Sequence, residues 1–382
     1  MILTHNFILS DTVYWWINAS AAFLISCIFT SIIIPRILLI AFRKRLFDPL
    51  DARKIHKRVT PRLGGIAFNP ILLFSVIFVL GINLLLGKNE IATSLQNNMS
   101  ELAFGLCAGF FLYLTGIADD LIGVRYRTKF TIQALSGIML ACSGLWINNL
   151  HGLFGIYALS PFAGYLLTVV VVIFIINAIN LIDGIDGLAS GLSGIALIYY
   201  GTVFMQGGLY IYAILSFAAL GTIVPFFYYN VFGNTKRGRR VFMGDTGSLT
   251  IGIILSILSI TACTRPLAGS QHCNPFVVAF VPLIVPCFDV LRVFLHRVRN
   301  GKPPFAPDKN HIHHKLMSTG LSQHQTLVII LLSSVLITAT NIACSPRTDT
   351  NLLLLCNIFM WTLINIWLTS IMKKKYPIKN KR

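Results

Sequence analysis

Residues 162–188 read FAGYLLTVVVVIFIINAINLIDGIDGL. The first part is an apolar run of about twenty residues, long enough to cross the ~30 Å hydrocarbon core of a bilayer as a helix. Polar side chains then recur every third residue, at Asn177, Asn180, Asp183 and Asp186. Residues three apart share one helical face. The stretch therefore predicts a membrane-spanning helix with a functional polar end, because four such side chains are costly to bury without a role.

Apolar runs of this length recur along the whole chain of 382 residues, of which 55% are hydrophobic and 12% charged. Soluble domains have about 45–50% apolar and about 25% charged residues. This composition excludes a disordered chain, collagen and an ordinary water-soluble enzyme. We predict an all-α polytopic membrane protein, residues 1–382, forming one domain without a cleaved signal. About eleven transmembrane helices are expected, at residues 13–41, 64–87, 101–118, 130–148, 162–182, 187–206, 209–229, 247–264, 275–296, 326–345 and 351–372.

The basic residues are distributed unevenly between alternate loops. Of 31 Lys and Arg residues, 26 fall in the segments 42–63, 119–129, 230–246, 297–325 and 373–382. The opposite loops hold only Lys88, Arg265 and Arg347. Because Lys and Arg accumulate in cytoplasmic loops, the N-terminus is predicted outside and the C-terminus in the cytoplasm. The net charge of +18 then reflects topology, and no motif for binding nucleic acid accompanies it.

The acidic residues are few, and five of the thirteen fall at predicted cytoplasmic helix ends. They are Asp119, Asp120, Asp183, Asp186 and Asp245. They come from three separate regions of sequence but share one membrane face. Such a grouping predicts an anionic site on the cytoplasmic face that binds a divalent cation. Adjacent aspartates lie ~100° apart on a helix, so Asp119 and Asp120 are expected to face different partners.

Three further segments carry candidate binding residues. FMGDTGS, residues 242–248, opens a predicted helix and resembles a cradle for metal and phosphate, although a plain N-cap and turn would also fit. The loop 303–315 contains His311, His313 and His314 beside Lys309 and Lys315, a composition that favours phosphate contact over a zinc site. Residues 56–65 carry Lys57 and Arg62 before a glycine pair, and a substrate role there competes with an ordinary positive-inside loop.

Taken together, these motifs resemble the polyprenyl-phosphate N-acetylhexosamine-1-phosphate transferases. The resemblance runs from TPRLGG at Thr60, through DD, NxxNxxDGxDGL and GDxGS, to HIHH at His311, in family order. It implies transfer of an N-acetylhexosamine-1-phosphate from a UDP-sugar to undecaprenyl phosphate, with release of UMP. It also implies Mg²⁺, for which Mn²⁺ could substitute, and a location in the bacterial inner membrane. The HIHH form and Arg62 resemble the GlcNAc-1-phosphate branch, which begins cell-surface polysaccharides such as O antigen.

The resemblance also implies a role for most of the candidate residues. Asp245 and Asn180 match metal contacts, Asp119 and Asp120 match a catalytic aspartate pair, and Lys129 matches a catalytic basic residue facing the phosphates. The remaining candidates are predicted to bind substrate, with Phe242 and Asp186 at the uridine and the histidines at the pyrophosphate or sugar. This substrate-binding set comprises Asn177, Asp183, Asp186, Phe242, His311, His313, His314, Lys57 and Arg62.

The sequence leaves several alternatives open. A muramyl-pentapeptide substrate, as in lipid I synthesis, is the second candidate within the same family. A membrane transporter is the rival from another class, although transporters place ionisable groups near the bilayer midplane. A lipid-phosphate sensor without turnover is a third. The sequence decides neither between monomer and homodimer nor between direct attack and a covalent phospho-aspartate intermediate.

The charge distribution makes the topology testable. A reporter fused after Arg382 should read cytoplasmic, and a cysteine introduced at Asn97 should react with a membrane-impermeant thiol reagent from outside. The parent protein, with its eight native cysteines, is the labelling control. A C-terminus outside the cytoplasm would contradict a cytoplasmic site.

Overall fold

At one end of the helical bundle, several helix ends meet around a cluster of charged residues. The structure is a computed structural model and describes residues 11–44, 46, 61–234, 238–265, 267, 273–301 and 310–375. Lys57 and residues 303–309 of the histidine loop lie outside these ranges. The described residues form fourteen α-helices: α1 Asp11–Lys44, α2 Phe68–Leu85, α3 Asn89–Asn97, α4 Met99–Ile122, α5 Tyr126–Cys142, α6 Pro161–Ile182, α7 Leu188–Gln206, α8 Tyr210–Val231, α9 Gly244–Thr264, α10 Pro275–Phe280, α11 Ile284–Arg299, α12 Ile312–Ser318, α13 Gln323–Cys344 and α14 Thr350–Lys375.

Ten spans in the described chain are long and apolar enough to cross a membrane, with α10 and α11 counted as one. The protein is thus an all-α polytopic membrane protein, as predicted. The predicted span at residues 130–148 is the one that is not among these ten. It is present as α5, but the 17 residues of this helix rise only about 25 Å, less than the ~30 Å hydrocarbon core of a bilayer. Local signals set several helix starts. Ser160 caps α6 before Pro161, and Ser322 and Gln325 form a reciprocal capping box at the start of α13.

Helix boundaries differ from the prediction where the site forms. The predicted loop 119–129 is a short turn, because α4 continues to Ile122 and α5 begins at Tyr126. Likewise α9 begins at Gly244 instead of residue 247, so Asp245 lies in its first turn. The predicted helix 275–296 is broken by a 3₁₀ turn at Val281–Leu283, since Pro282 lacks an amide hydrogen.

Helix α9 is the centre of the bundle. In the most apolar stretch of α9, 94% of residues are buried, and the helix packs against α4, α6, α7 and α10. Its sequence is rich in small residues, which allow neighbouring backbones to approach closely. A Cβ atom added to Gly252, for example, would lie 2.8 Å from Cα of Ile176 on α6. The small side chains thus explain how one helix meets so many neighbours.

Helices α4 and α9 run antiparallel, with contacts at both ends. At one end, Arg265, which directly follows α9, donates to Glu101 of α4 over 2.6 Å, and Tyr212 of α8 donates to the same carboxylate over 2.9 Å. At the other end, Gly116 meets the backbone of Thr246, where an added Cβ would lie 2.4 Å from Cα. The acidic pair Asp119–Asp120 follows one turn later, directly beside the start of α9.

The close approach at Gly116 gives a stability prediction. Gly116→Ala should lower the melting temperature of the purified protein, because its methyl group forces α4 from α9 at a cost of about 1–3 kcal/mol. Gly109→Ala, two turns earlier on α4, is the matched control, since an added Cβ there has no heavy atom within 4 Å. Equal melting temperatures for the two variants would contradict this packing.

Candidate active site

The centre of the site is one ammonium group held between two carboxylates. Lys129 Nζ, in the first turn of α5, lies 2.7 Å from Asp119 Oδ2 and also contacts Asp245 Oδ2. These three side chains retain between 16% and 23% of their exposure, so the cluster is open to a ligand. The structure therefore brings together three of the predicted catalytic residues, from α4, α5 and α9.

Asn180 completes this centre from α6. Its Nδ2 donates to Asp245 Oδ1 over 3.2 Å and to Ser248 Oγ over 2.8 Å. These two hydrogen bonds fix the orientation of the carboxamide beside the Asp245 carboxylate. Asn180 was predicted next to Asp245 from sequence, whereas Ser248 was not predicted as its partner.

Asp120 faces away from the ammonium group and caps α9. Its Oδ1 accepts the amide hydrogen of Asp245 over 2.8 Å, and its Oδ2 accepts from the amide and hydroxyl of Thr246 over 2.9 and 2.6 Å. Unpaired amides in the first turn of a helix favour a carboxylate in this position. Gly244 has φ +71°, and a Cβ there would collide with Asp120. Asp120 thus positions Asp245, and the adjacent aspartates do face different partners.

The TPRLGG segment is paired with the segment before Asp245 by backbone hydrogen bonds. The amides of Gly64 and Gly65 donate to the carbonyls of Phe242 and Met243, both over 3.0 Å, and the Phe242 amide donates to Pro61 over 2.9 Å. Two predicted substrate-binding residues, Arg62 and Phe242, are thereby placed beside the carboxylate cluster. The sequence showed both segments as motifs but gave no signal that they pair.

The DGIDG turn between α6 and α7 carries Asp183 and Asp186. Asp186 is buried and pairs with Arg240 over 3.1 Å and with Gln323 over 3.0 Å. Asn230, which is also buried, accepts the Gly187 amide over 2.6 Å and donates to the Val241 carbonyl over 2.8 Å. These contacts tie the turn to the segment before Asp245. Burial and the negative charges of Asp186 and Asp245 raise the pKa of Asp183 to about 7.

Asn177 lies one helical turn deeper than Asn180. Its Nδ2 donates to Gln133 of α5 over 2.6 Å and to the backbone of Ile173 over 2.7 Å. The carboxamide therefore joins α6 to α5 beneath the cluster. Its predicted contact with substrate remains a prediction.

The histidine motif reaches the site through His313. A Cβ added to Gly184 of the DGIDG turn would lie 2.2 Å from Nε2 of His313, so the imidazole packs directly on this glycine. His313 is buried and neither ring nitrogen has a hydrogen-bond partner within the described chain. Burial and the neighbouring His314 and His311 lower the pKa of His313 to about 3. At neutral pH its imidazole is uncharged and offers a ligand one donor and one acceptor.

Two other side chains of the motif turn toward neighbouring helices. His311 Nδ1 lies 2.8 Å from Oδ2 of Asp289 on α11. Lys315, expected near phosphate, instead donates to Asn365 and Thr369 of α14 over 3.2 and 3.1 Å. Burial lowers its pKa to about 8. The motif is therefore anchored on both sides, and Lys315 serves as an anchor.

Sequence reasoning missed the supporting residues of the site. Four of them belong to no motif and lie far along the chain from the groups they hold: Gln133, Asn230, Arg240 and Gln323. Thr246 and Ser248 lie within the FMGDTGS segment, but nothing there indicated their partners. Asp289, paired with Arg292 on the same helix, also gave a signal, as an acid inside a strongly apolar segment. Such residues are rare in membrane spans and are almost always paired.

The oxygen ligands at the centre suit a hard divalent cation. Asp119 and Asp245 direct carboxylate oxygens at the ammonium of Lys129, and Asn180 lies alongside. No group of three or more His, Cys, Asp or Glu side chains that could hold a metal occurs among the described residues. Mg²⁺ does not need such a cage, because it is commonly bound by one or two carboxylates together with substrate phosphates. The residues present therefore fit Mg²⁺.

Comparison with known proteins gives one consistent result. The profile described as glycosyl transferase family 4 matches residues 102–263, which include Asp119, Lys129, Asn180 and Asp245. The chain is 31% identical over 321 residues to a probable undecaprenyl-phosphate N-acetylglucosaminyl 1-phosphate transferase of Bacillus subtilis (strain 168), covering 83% of this chain and 82% of the relative.

Two further relatives carry the name undecaprenyl-phosphate alpha-N-acetylglucosaminyl 1-phosphate transferase. The protein of Escherichia coli (strain K12) is 32% identical over 308 residues, covering 79% of this chain and 77% of its own. The protein of Yersinia pestis is 30% identical over 302 residues, covering 78% of this chain and 76% of the relative. These matches extend over most of the spans and the whole charged cluster. The chain therefore belongs to glycosyl transferase family 4.

Proposed function

We propose that this protein transfers GlcNAc-1-phosphate from UDP-GlcNAc to undecaprenyl phosphate and releases UMP, in the bacterial inner membrane. The names of the relatives support the reaction class and the lipid acceptor. The observation that carries the proposal is the Asp119–Lys129–Asp245 cluster at the ends of membrane-spanning helices. A lipid phosphate at the bilayer surface meets such a site without leaving the membrane.

The reaction requires alignment and charge neutralisation more than covalent work by the protein. An oxygen of the lipid phosphate attacks the β-phosphorus of UDP-GlcNAc, a new P–O bond forms, and the bond from that phosphorus to the bridging oxygen breaks. UMP leaves with the electron pair of the broken bond. Lys129 neutralises phosphate oxygens as charge moves toward UMP, an electrostatic role that is often the largest catalytic contribution.

Asp119 is the carboxylate placed to act on the acceptor. Its Oδ1 accepts the amide of Val124 over 2.7 Å, so its orientation is fixed while Oδ2 faces Lys129. We assign it the role of accepting a proton from the lipid phosphate or aligning that phosphate. Asp245 and Asn180 would hold Mg²⁺, or Mn²⁺ in its place, which when bound would neutralise the pyrophosphate and favour departure of UMP.

The remaining residues recognise the donor. Phe242 is assigned to stack on uracil and Asp186, held by Arg240 and Gln323, to contact the uridine. Arg62 and the uncharged His313 are assigned to the phosphates and sugar. A transporter is disfavoured because the ionisable cluster lies at helix ends instead of the bilayer midplane.

The direct test is a reaction with purified protein, undecaprenyl phosphate, Mg²⁺ and several UDP-sugars, followed by mass spectrometry of the lipid product. UDP-GlcNAc should give undecaprenyl-pyrophosphoryl-GlcNAc and UMP. Asp245→Asn should remain folded, lose at least ~100-fold in turnover and require more Mg²⁺. Product only from UDP-MurNAc-pentapeptide would establish the second candidate instead, and no lipid product from any donor would refute the proposal.

The two adjacent aspartates should fail in different ways. Asp119→Asn should lower kcat by ~10²–10⁴-fold with little change in melting temperature, as expected for loss of a catalytic base. Asp120→Asn should lower the melting temperature, because an amide presents N–H groups to the unpaired amides of α9. Differential scanning fluorimetry and steady-state kinetics on the same preparations separate the two effects. A melting temperature reduced only in Asp119→Asn would show that these roles are reversed.

A further inference from the structure

Asp289 is a buried carboxylate that the mechanism above does not use. It lies within the apolar helix α11 with no exposed surface. A charge in such a place is costly unless it is paired and hydrogen-bonded. Its Oδ1 accepts from Arg292 over 2.8 Å and from the amide of Ile312 over 3.0 Å, and its Oδ2 faces His311 Nδ1 over 2.8 Å.

These contacts fix both the backbone and one ring of the histidine motif. The Ile312 amide is the first in α12 and has no partner within that helix. His311 immediately precedes it, so one carboxylate holds the start of the helix and the imidazole beside it. Arg292 also donates to the carbonyl of Asn310, which places a compensating positive charge across the same turn.

The hydrogen bond also selects the tautomer of His311. An ionised carboxylate can only accept, so Nδ1 of the imidazole must carry the hydrogen that it shares with Asp289. Nε2 is then the ring nitrogen that can meet a ligand. The His311 ring lies parallel to that of His313, with 5.8 Å between centroids and 8° between planes. His313 in turn packs on Gly184, so the two rings form a continuous stack against the DGIDG turn.

We propose that Asp289 is a positioning residue for donor binding, acting through His311. By fixing the ring orientation and the Nδ1–H tautomer, it presents Nε2 of His311 to the sugar or phosphate of the UDP-sugar. This inference rests on the proposed function for the identity of the donor. It assigns Asp289 no contact with substrate.

A double-mutant cycle tests the proposal. Asp289→Asn and His311→Ala should each raise KM for UDP-GlcNAc about tenfold, the loss of one hydrogen bond involving a charged group, with a smaller effect on kcat. Because Asp289 acts through His311, the double variant should be no worse than His311→Ala alone. Asp289→Glu, which retains the carboxylate, should recover part of the loss. If the rise in KM of the double variant equals the product of the rises in the two single variants, the proposal is overturned.

Glu101→Gln is the matched control for a merely structural role. Glu101 is also a carboxylate paired with an arginine, Arg265. It lies at the start of α4, at the other end of that helix from Asp119 and Asp120. This variant should lower the melting temperature and leave KM for UDP-GlcNAc unchanged. An equal rise in KM for Glu101→Gln would show that any weakened ion pair produces the effect and would also overturn the proposal.

Failure of this proposal can be distinguished from failure of the proposed function. If the wild-type protein does not turn over UDP-GlcNAc, the proposed function fails, and the same four proteins are compared by calorimetric titration with UDP. Non-additive losses of UDP affinity would still support positioning through His311, whereas additive losses would refute it. If Asp289→Asn does not fold, Asp289→Glu replaces it in the cycle and the same criterion applies.

Discussion

The charged site depends on the capping of α9 by a carboxylate from α4. Asp120 satisfies two backbone amides and one hydroxyl in the first turn of a helix that is otherwise enclosed by protein. Gly116 allows α4 to approach closely enough for this contact, and Asp119, the next residue before Asp120, then faces the same opening as Asp245. The distance between the two reactive carboxylates is thus set by a contact in which neither takes part.

The opposite charges within the cluster partly balance one another. Carboxylates from two helices face one lysine, whose positive charge offsets the repulsion between their negative charges. Lys129 supplies that charge from the first turn of α5, and a metal ion with substrate phosphates would redistribute it. Arg62 and Arg240 add positive charge beside Asp183 and Asp186.

Much of the fold and the central site could be predicted from sequence, because both depend on local patterns. Apolar runs of about twenty residues identify the spans, acids at their ends place Asp119 and Asp245 on one face, and the family resemblance adds Asn180 beside Asp245. The failures concern contacts between distant residues. Nothing in the sequence around Lys315 indicates that it turns toward Asn365, and nothing around Asn230 indicates that it joins the Gly187 turn to Val241. The start of α9 was placed too late because its cap comes from residue 120, far along the chain.

The enclosure of α9 also bears on how this site could change under selection by an inhibitor. A residue on a lipid-facing helix can exchange one apolar side chain for another at little cost. The residues that follow Asp245 along α9 have protein on every side, and the small ones among them, such as Gly252 against Ile176, have no room to grow. A compound bound to the first turn of α9 would therefore leave few escape routes there, and resistance would have to arise elsewhere in the protein or from altered uptake.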